Sequence, residues 1–156
     1  GLDLADLNGD ETIIDTYSGI GTIGLAASDR VKKIIGIEVV DSAVEDAKEN
    51  ARLNGIDNAD YYLGKAEEVM PKLVKSGVSA DLVFVDPPRK GCHQTFLDSL
   101  LEVEPKKIVY ISCNPGTLQR DMKYLVEHGY KAKSVVPVDL FPQTKHVEAV
   151  TVLERK

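Results

Sequence analysis

The stretch KIVYISCNPGT, Lys107 to Thr117, holds a strand and a helix start with almost nothing between them. Ile108 to Ile111 is an apolar run, the pattern of a strand buried on both faces. Asn114 followed by Pro115 is a helix start: asparagine as N-cap accepts from an orphan amide, and proline at the first helical position lacks an amide that would have had no partner there. A strand that passes straight into a helix is half of a βα unit. Cys113 then stands at the strand's C-terminal edge, where ligands bind in open parallel sheets. It also lies beside the positive end of a helix dipole, which favours a thiolate. Cys113 is therefore a candidate nucleophile, although by itself it also fits a small apolar residue closing a core strand.

Outward from this unit the same alternation recurs. Strands are expected at Thr12 to Tyr17, Lys33 to Val39, Tyr61 to Leu63, Leu82 to Asp86, Ala132 to Asp139 and Glu148 to Leu153. Ser42 to Asn54 has a helical pattern: Ser42 and Glu45 spell a capping box, Val44, Ala47 and Ala51 share a face, and Gly55 is a stop. Leu118, Met122, Leu125 and Val126 form a second stripe that ends at Gly129. Five βα units followed by two strands with no helix between them predict an α/β doubly wound fold. Its seven-stranded sheet should be mostly parallel, with an antiparallel last strand in a final hairpin.

At 156 residues, 43% hydrophobic and 28% charged, the chain fits one domain, residues 1–156, with a core large enough to fold alone. Cys92 and Cys113 are the two cysteines, and no cationic leader or membrane-length apolar run is present. A reducing, cytoplasmic setting is expected, with no membrane, no disulfide framework and no metal. A net charge of -6 argues against this chain gripping a nucleic-acid backbone unaided. Arg89 and Lys90, Lys106 and Lys107, and Lys145 are read as a modest basic rim beside the site segments.

The first βα turn is DTYSGIGTIGL, Asp15 to Leu25, in which Gly19, Gly21 and Gly24 spell GxGxxG after a strand. Glycines there allow a tight turn and close approach of backbone to a ligand. Glu38 ends the second strand about 20 residues on, where a carboxylate can accept both hydroxyls of a ribose. Asp15 in front of the glycines repels a pyrophosphate and attracts a cation, so S-adenosylmethionine is favoured over a dinucleotide. Tyr17 is read as a cofactor contact or as plain core. Gly64 to Glu67 borders the same edge, with Glu67 and Glu68 equally suited to a solvated first helical turn.

The fourth strand ends in DPPRKG, Asp86 to Gly91, where two prolines fix the backbone and present Asp86 at the edge that carries Gly19 and Cys113. The last hairpin carries VDLFPQTKHVE, Val138 to Glu148, a loop whose Asp139, His146 and Glu148 call for a role beyond turning the chain. His146 reads as a base or a stacking group. His93 and His128 offer no chemistry.

With these segments together, the chain resembles the RNA uracil-5 methyltransferase family, which makes 5-methyluridine in tRNA and 23S rRNA. DTYSGIGTIGL, DPPRKG with IVYISCNPGT, and VDLFPQTKHVE carry the resemblance, which covers nearly the whole chain. It implies Cys113 as nucleophile, Glu148 as the base for the C5 proton, and Asp15, Tyr17, Gly19, Gly21, Thr22, Glu38, Lys65 and Asp86 around S-adenosylmethionine, with Asp86 also facing the base. Family members also have an N-terminal RNA-binding barrel and a central region that supplies a glutamine. The resemblance is thus to an isolated, monomeric catalytic domain whose RNA, 23S rRNA rather than tRNA from the SGIGTIGL wording, is held mainly by those other regions. Three alternatives stay open: an amino-group nucleic-acid methyltransferase using the Asp86 turn, a cofactor-binding module inactive alone, and a nicotinamide oxidoreductase.

Overall fold

The computed structural model describes residues 2–138 and 148–156. Seven strands, β1 (Thr12–Asp15), β2 (Lys33–Glu38), β3 (Ala59–Leu63), β4 (Leu82–Val85), β5 (Lys107–Ser112), β6 (Tyr130–Val138) and β7 (Glu148–Arg155), form one sheet in the order β3-β2-β1-β4-β5-β7-β6. The first five are parallel, and β7 runs antiparallel to both β5 and β6. The order reverses between β1 and β4, which makes that seam the topological switch point where open α/β sheets bind ligands. The expected doubly wound architecture and its final hairpin are both present.

Strand alternation splits the core into two layers. Ile14, Ile37, Val83, Val85, Ile108 and Tyr110 pack against helices α4 (Ala66–Lys75), α5 (Gln94–Val103) and α6 (Pro115–Glu127). Ile13, Ile34, Leu82, Phe84 and Val109 face the other way, with Ala5 of α1 (Leu2–Ala5) and Ile23 of α2 (Thr22–Ala26) against them. Every residue of β4 is buried, as expected of a central strand covered on both faces.

Local signals decide where the helices stop. In α3 (Asp41–Leu53) the expected Val44, Ala47 and Ala51 face is buried. Gly55 at φ 65° closes the helix, with its amide bonded to the Arg52 carbonyl and that of Ile56 to Ala51, a Schellman motif. The capping box of Ser42 and Glu45 is not formed. The N-cap is instead the extended Val40, two residues before Ser42 and without a side-chain cap, and Glu45 pairs with Lys48. In α6 the expected start holds: Asn114 is the N-cap, its side chain accepting from the Gly116 amide, and Pro115 follows.

The basic rim also needs correcting. Lys106 and Lys107 sit at the start of β5, the end of the sheet away from Cys113; Lys106 pairs with Asp81 and Lys107 donates to the Ala5 carbonyl. Lys145 lies outside the described residues.

Candidate active site

The exit of β1 is tied across the switch point by Thr16, whose amide and hydroxyl both donate to the Phe84 carbonyl at 3.1 and 2.8 Å. The chain then turns through Gly19 and Gly21 at φ 52° and 87°, the left-handed region that costs a side-chain-bearing residue roughly 1 kcal/mol or more. A Cβ on Gly21 would lie 2.5 Å from the Tyr61 hydroxyl, so this glycine is required by space as well. Gly24 packs on Ile34, which is the helix-to-sheet contact expected of the third glycine.

Glu38 closes the turn. Its Oε2 accepts from the Gly19 amide at 2.9 Å, and its Oε1 from the Val39 and Val40 amides at 2.7 and 2.9 Å. Three of roughly four acceptor sites are thus taken by backbone, which fixes the carboxylate and leaves one on Oε2 for a ligand hydroxyl. Beside it opens a cleft of about 190 Å³, walled by Tyr17, Glu38, Val39, Lys65, Pro88 and Phe96. Tyr17 is half-buried and tilted on Phe96 with ring centroids 5.5 Å apart, so the two roles read for it coincide. Lys65, the N-cap residue of α4, reaches solvent at the cleft mouth, and Glu67 lines it.

Asp15, Gly19, Gly21, Thr22 and Asp86 are not among the residues lining this cleft. Thr22 is exposed at the start of α2, and Asp15 is 1% exposed beneath the glycine turn. Neither oxygen of Asp15 has a hydrogen-bond partner among the described residues, and the Ser18 and Tyr61 hydroxyls beside it are equally unpaired. Burial drives the Asp15 carboxyl up to about 7. The charges of Asp86 and Glu38 push the same way, while the amides of Gly24 and Tyr17 pull it down without reaching good hydrogen-bond geometry.

Across the switch point, β4 ends at Val85 and Asp86 follows, with Pro87 buried and the turn closed by the Gly91 amide on the Pro88 carbonyl at 2.8 Å. Asp86 is exposed as a residue, yet desolvation around its carboxyl, and then the charge of Glu148, raise it above the ordinary carboxylate range. Cys113 is half-buried just past β5. Antiparallel pairing sets Ser112 opposite Ala149, so the next pair outward is Cys113 and Glu148. Asp86, Cys113 and Glu148, far apart in sequence, therefore share one sheet edge with the cleft. His146 and the rest of its loop, Asp139 to Val147, lie outside the described residues.

The sequence did not single out a polar cluster behind this edge, formed by buried Cys92, Tyr110 and Asp121 and capped by the exposed Arg120. Asp121 is 0% exposed, and it falls between Leu118 and Leu125 on the buried stripe of α6. A charge inside an apolar stripe was the available signal. His93, for which the sequence offered no chemistry, lines the cleft.

The strand order, the antiparallel seventh strand and the cleft at the switch point define a class I S-adenosylmethionine-dependent methyltransferase fold. Within that class, the chain belongs to the tRNA (uracil-5-)-methyltransferase family, whose model matches residues 3–156. An uncharacterized RNA methyltransferase of Listeria innocua is 56% identical over 155 residues, 99% of this chain and 34% of that protein. One from Lactobacillus johnsonii is 59% identical over 151 residues, 97% and 34%. Pyrococcus abyssi tRNA (uracil-54, C5)-methyltransferase, solved in complex with S-adenosyl-L-homocysteine, has a TM-score of 0.81 at 36% identity over 97% of this chain and 36% of its own. The chain spans about a third of the length of the curated relatives it matches.

Proposed function

We propose that this chain is the catalytic part of an enzyme that transfers a methyl group from S-adenosylmethionine to C5 of a uridine in RNA, through a covalent bond between Cys113 and C6. The observation that carries the reading is the register that sets Cys113 level with Glu148, with Asp86 in electrostatic contact, on the edge that holds the cleft.

The residues present fit the cofactor. Glu38 offers a fixed acceptor for a ribose hydroxyl, Val39, Pro88 and Phe96 give apolar walls for a base, and the carboxylates of Glu38 and Glu67 on the cleft wall suit the ribose and the cationic end of the cofactor better than a pyrophosphate. The Pyrococcus abyssi relative, holding the demethylated cofactor on the same fold, supports this choice. When bound, S-adenosylmethionine supplies a methyl group on a positively charged sulfur. Tyr17 and Lys65 border it, and Gly19 holds Glu38 toward it.

Uracil C5 is a poor nucleophile until the Cys113 thiolate adds to C6, forming a sulfur–carbon bond and placing the ring's electrons on C5 and its carbonyl. C5 then takes the methyl, and the Glu148 carboxylate removes the C5 proton. The electrons of that C–H bond restore the C5–C6 double bond and expel the cysteine. Asp86 stands at the same sheet edge in electrostatic contact with Glu148 and can hold the base edge through its carboxyl.

For the RNA, the SGIGTIGL wording favours 23S rRNA. A tRNA target is the second reading, supported by the Pyrococcus abyssi tRNA enzyme. The net charge of -6 puts most backbone affinity outside this chain. Mapping 5-methyluridine by mass spectrometry in both RNAs from cells lacking the protein tests this: loss from 23S rRNA is expected, loss from tRNA selects the second reading, and loss from neither overturns uridine methylation.

A further inference from the structure

The turn after Asp86 is held along its whole length by one face of α6. The Asn114 side chain donates to the Arg89 carbonyl at 3.2 Å, Thr117 donates to the same oxygen at 3.3 Å, and Arg120 Nη2 donates to the Lys90 and Cys92 carbonyls at 3.3 and 3.0 Å. Positions 114, 117, 120 and 121 recur at helical spacing, so a single helix face forms this rail. Gly91, at φ 74°, lets the turn lie flat on it: a Cβ there would come within 2.9 Å of Thr117, Arg120 and Asp121.

Asp121 fastens the rail. Its Oδ2 accepts from the Cys92 amide at 2.8 Å and from the Tyr110 hydroxyl at 2.7 Å, and its Oδ1 accepts from Arg120 Nε at 2.8 Å. Tyr110 belongs to β5, three residues before Cys113 in the chain. The Cys92 sulfur lies 3.3 Å from the Tyr110 hydroxyl and is in electrostatic contact with Tyr17 on the cofactor cleft. The cluster therefore joins the cleft wall, the Asp86 turn, the strand that ends at the nucleophile and the helix that starts beside it. A carboxylate this buried is strongly disfavoured unless every partner is in place, so it tolerates one arrangement of the turn.

Resting on the proposed uridine methylation, we infer that Asp121 is a positioning residue for methyl transfer: through Arg120 and the Cys92 amide it sets the Asp86 turn and the cleft in fixed register with Cys113. It touches no reacting atom. Addition of Cys113 to C6 needs β5, α6 and β7. Methyl transfer needs, in addition, that the cofactor side of the cleft stand at the right distance from C5, and a misplacement of about 1 Å costs about 100-fold.

The two steps can be read separately in a protein of the relatives' full length that carries this chain, termed the full-length protein below. Without cofactor, addition, protonation at C5 and reversal release tritium from [5-³H]uridine RNA; with cofactor, single-turnover label transfer reports methylation. In Asp121→Asn one oxygen becomes a donor that faces Arg120 or the Cys92 amide. Methyl transfer per folded molecule should fall roughly 100-fold while cofactor-free exchange changes less than about 3-fold. Tyr110→Phe removes the hydroxyl that donates to Asp121 and contacts the Cys92 sulfur, leaves the other bonds of Asp121 in place, and should give the same split at several-fold, which keeps the test available if Asp121→Asn does not fold. Leu118→Ala, a core change on the same helix, should lower the melting temperature without any split. Unchanged methylation in Tyr110→Phe and in folded Asp121→Asn, or an equal fall in both rates, would overturn the role of Asp121. Failure of the unsubstituted full-length protein to exchange tritium or to methylate 23S rRNA or tRNA would instead overturn the proposed function.

Discussion

Two aspartates bracket β1 and have opposite surroundings. At the start of the strand, Asp81 accepts from the Thr12 amide at 3.0 Å and from Lys106 at 2.8 Å, and the Lys106 contact holds its carboxyl below the ordinary range. At the end, Asp15 is fully enclosed, unpaired and pushed up to about 7. One end of the sheet pairs its carboxylate; the other leaves Asp15 without a hydrogen-bond partner among the described residues, close to a cleft. Groups left unsatisfied in a folded protein concentrate where a ligand completes them, so the contrast marks the end of the sheet at which chemistry takes place.

If that division holds, the largest effects on activity belong to the ligand end and need not touch stability. Cys113→Ala should remove both the covalent adduct with 5-fluorouridine RNA and methyl transfer in the full-length protein, a loss of roughly 10³-fold or more. Because Cys113 is only half-buried, the melting temperature should move by no more than about 2 °C. Trapping that survives the change, or that moves to Cys92, would break the assignment.

Glu148→Gln should come next. If the carboxylate acts only after methylation, its loss spares addition and transfer and blocks release. Turnover should drop about 100-fold while a denaturation-resistant protein–RNA adduct carrying the methyl group accumulates. The double variant with Cys113→Ala should behave as Cys113→Ala alone. Normal turnover without trapped label, read on gels with radiolabelled cofactor, would give the proton to another group, with His146 and Asp86, the latter in electrostatic contact with Glu148, the next to test.

The architecture was legible in the sequence because it rests on local signals. Unbroken apolar runs such as Leu82 to Val85 mark doubly covered strands, and Asn114, Gly55 and Gly129 mark helix ends, all within a few residues. The candidate site was legible where a residue type is rare at its position, as with Cys113 or the Asp86 turn. The misses are tertiary. Ser42 and Glu45 match a capping box, but the Glu38 carboxylate takes the Val39 and Val40 amides and the N-cap falls two residues early, at Val40. Lys106 and Lys107 are near the Cys113 strand in sequence but occupy its far end, where Asp81 and the Ala5 carbonyl bind them. The rail on α6 needed the pairing of a helix face with a distant turn, which no local pattern links.

Asp15 should show the contrast through pH. Its folded value lies above the ordinary 3.8, so the folded state holds a proton that the unfolded chain gives up. The resulting stability is full below about 3.8 and lost as pH rises through about 7. Unfolding of the 156-residue chain in urea should therefore show the wild type losing on the order of 4 kcal/mol relative to Asp15→Asn between pH 4 and pH 8. A flat difference between the two proteins would mean that Asp15 is ionised and paired throughout, and the contrast with Asp81 would collapse.

The smallest effect is expected at Asp81, and its sign should be the reverse. Its folded carboxyl is held below the ordinary 3.8, first by the Lys106 hydrogen bond and then, against some desolvation, by the Thr12 amide. That stability is present above the unfolded value and is lost only as pH falls through the folded one, in strongly acid solution. Between pH 5 and pH 8 Asp81→Ala should therefore lower the urea stability by a constant amount, about 1 kcal/mol for the stranded Thr12 amide. Asp81→Asn, which keeps an acceptor for that amide, should cost less. Asp81 stands at the opposite end of β1 from the cleft, so neither variant should alter cofactor affinity, tritium exchange or methyl transfer. A fall in methyl transfer with folding intact would show that the two ends of β1 are coupled, and that the satisfied end of the sheet also helps to hold the site.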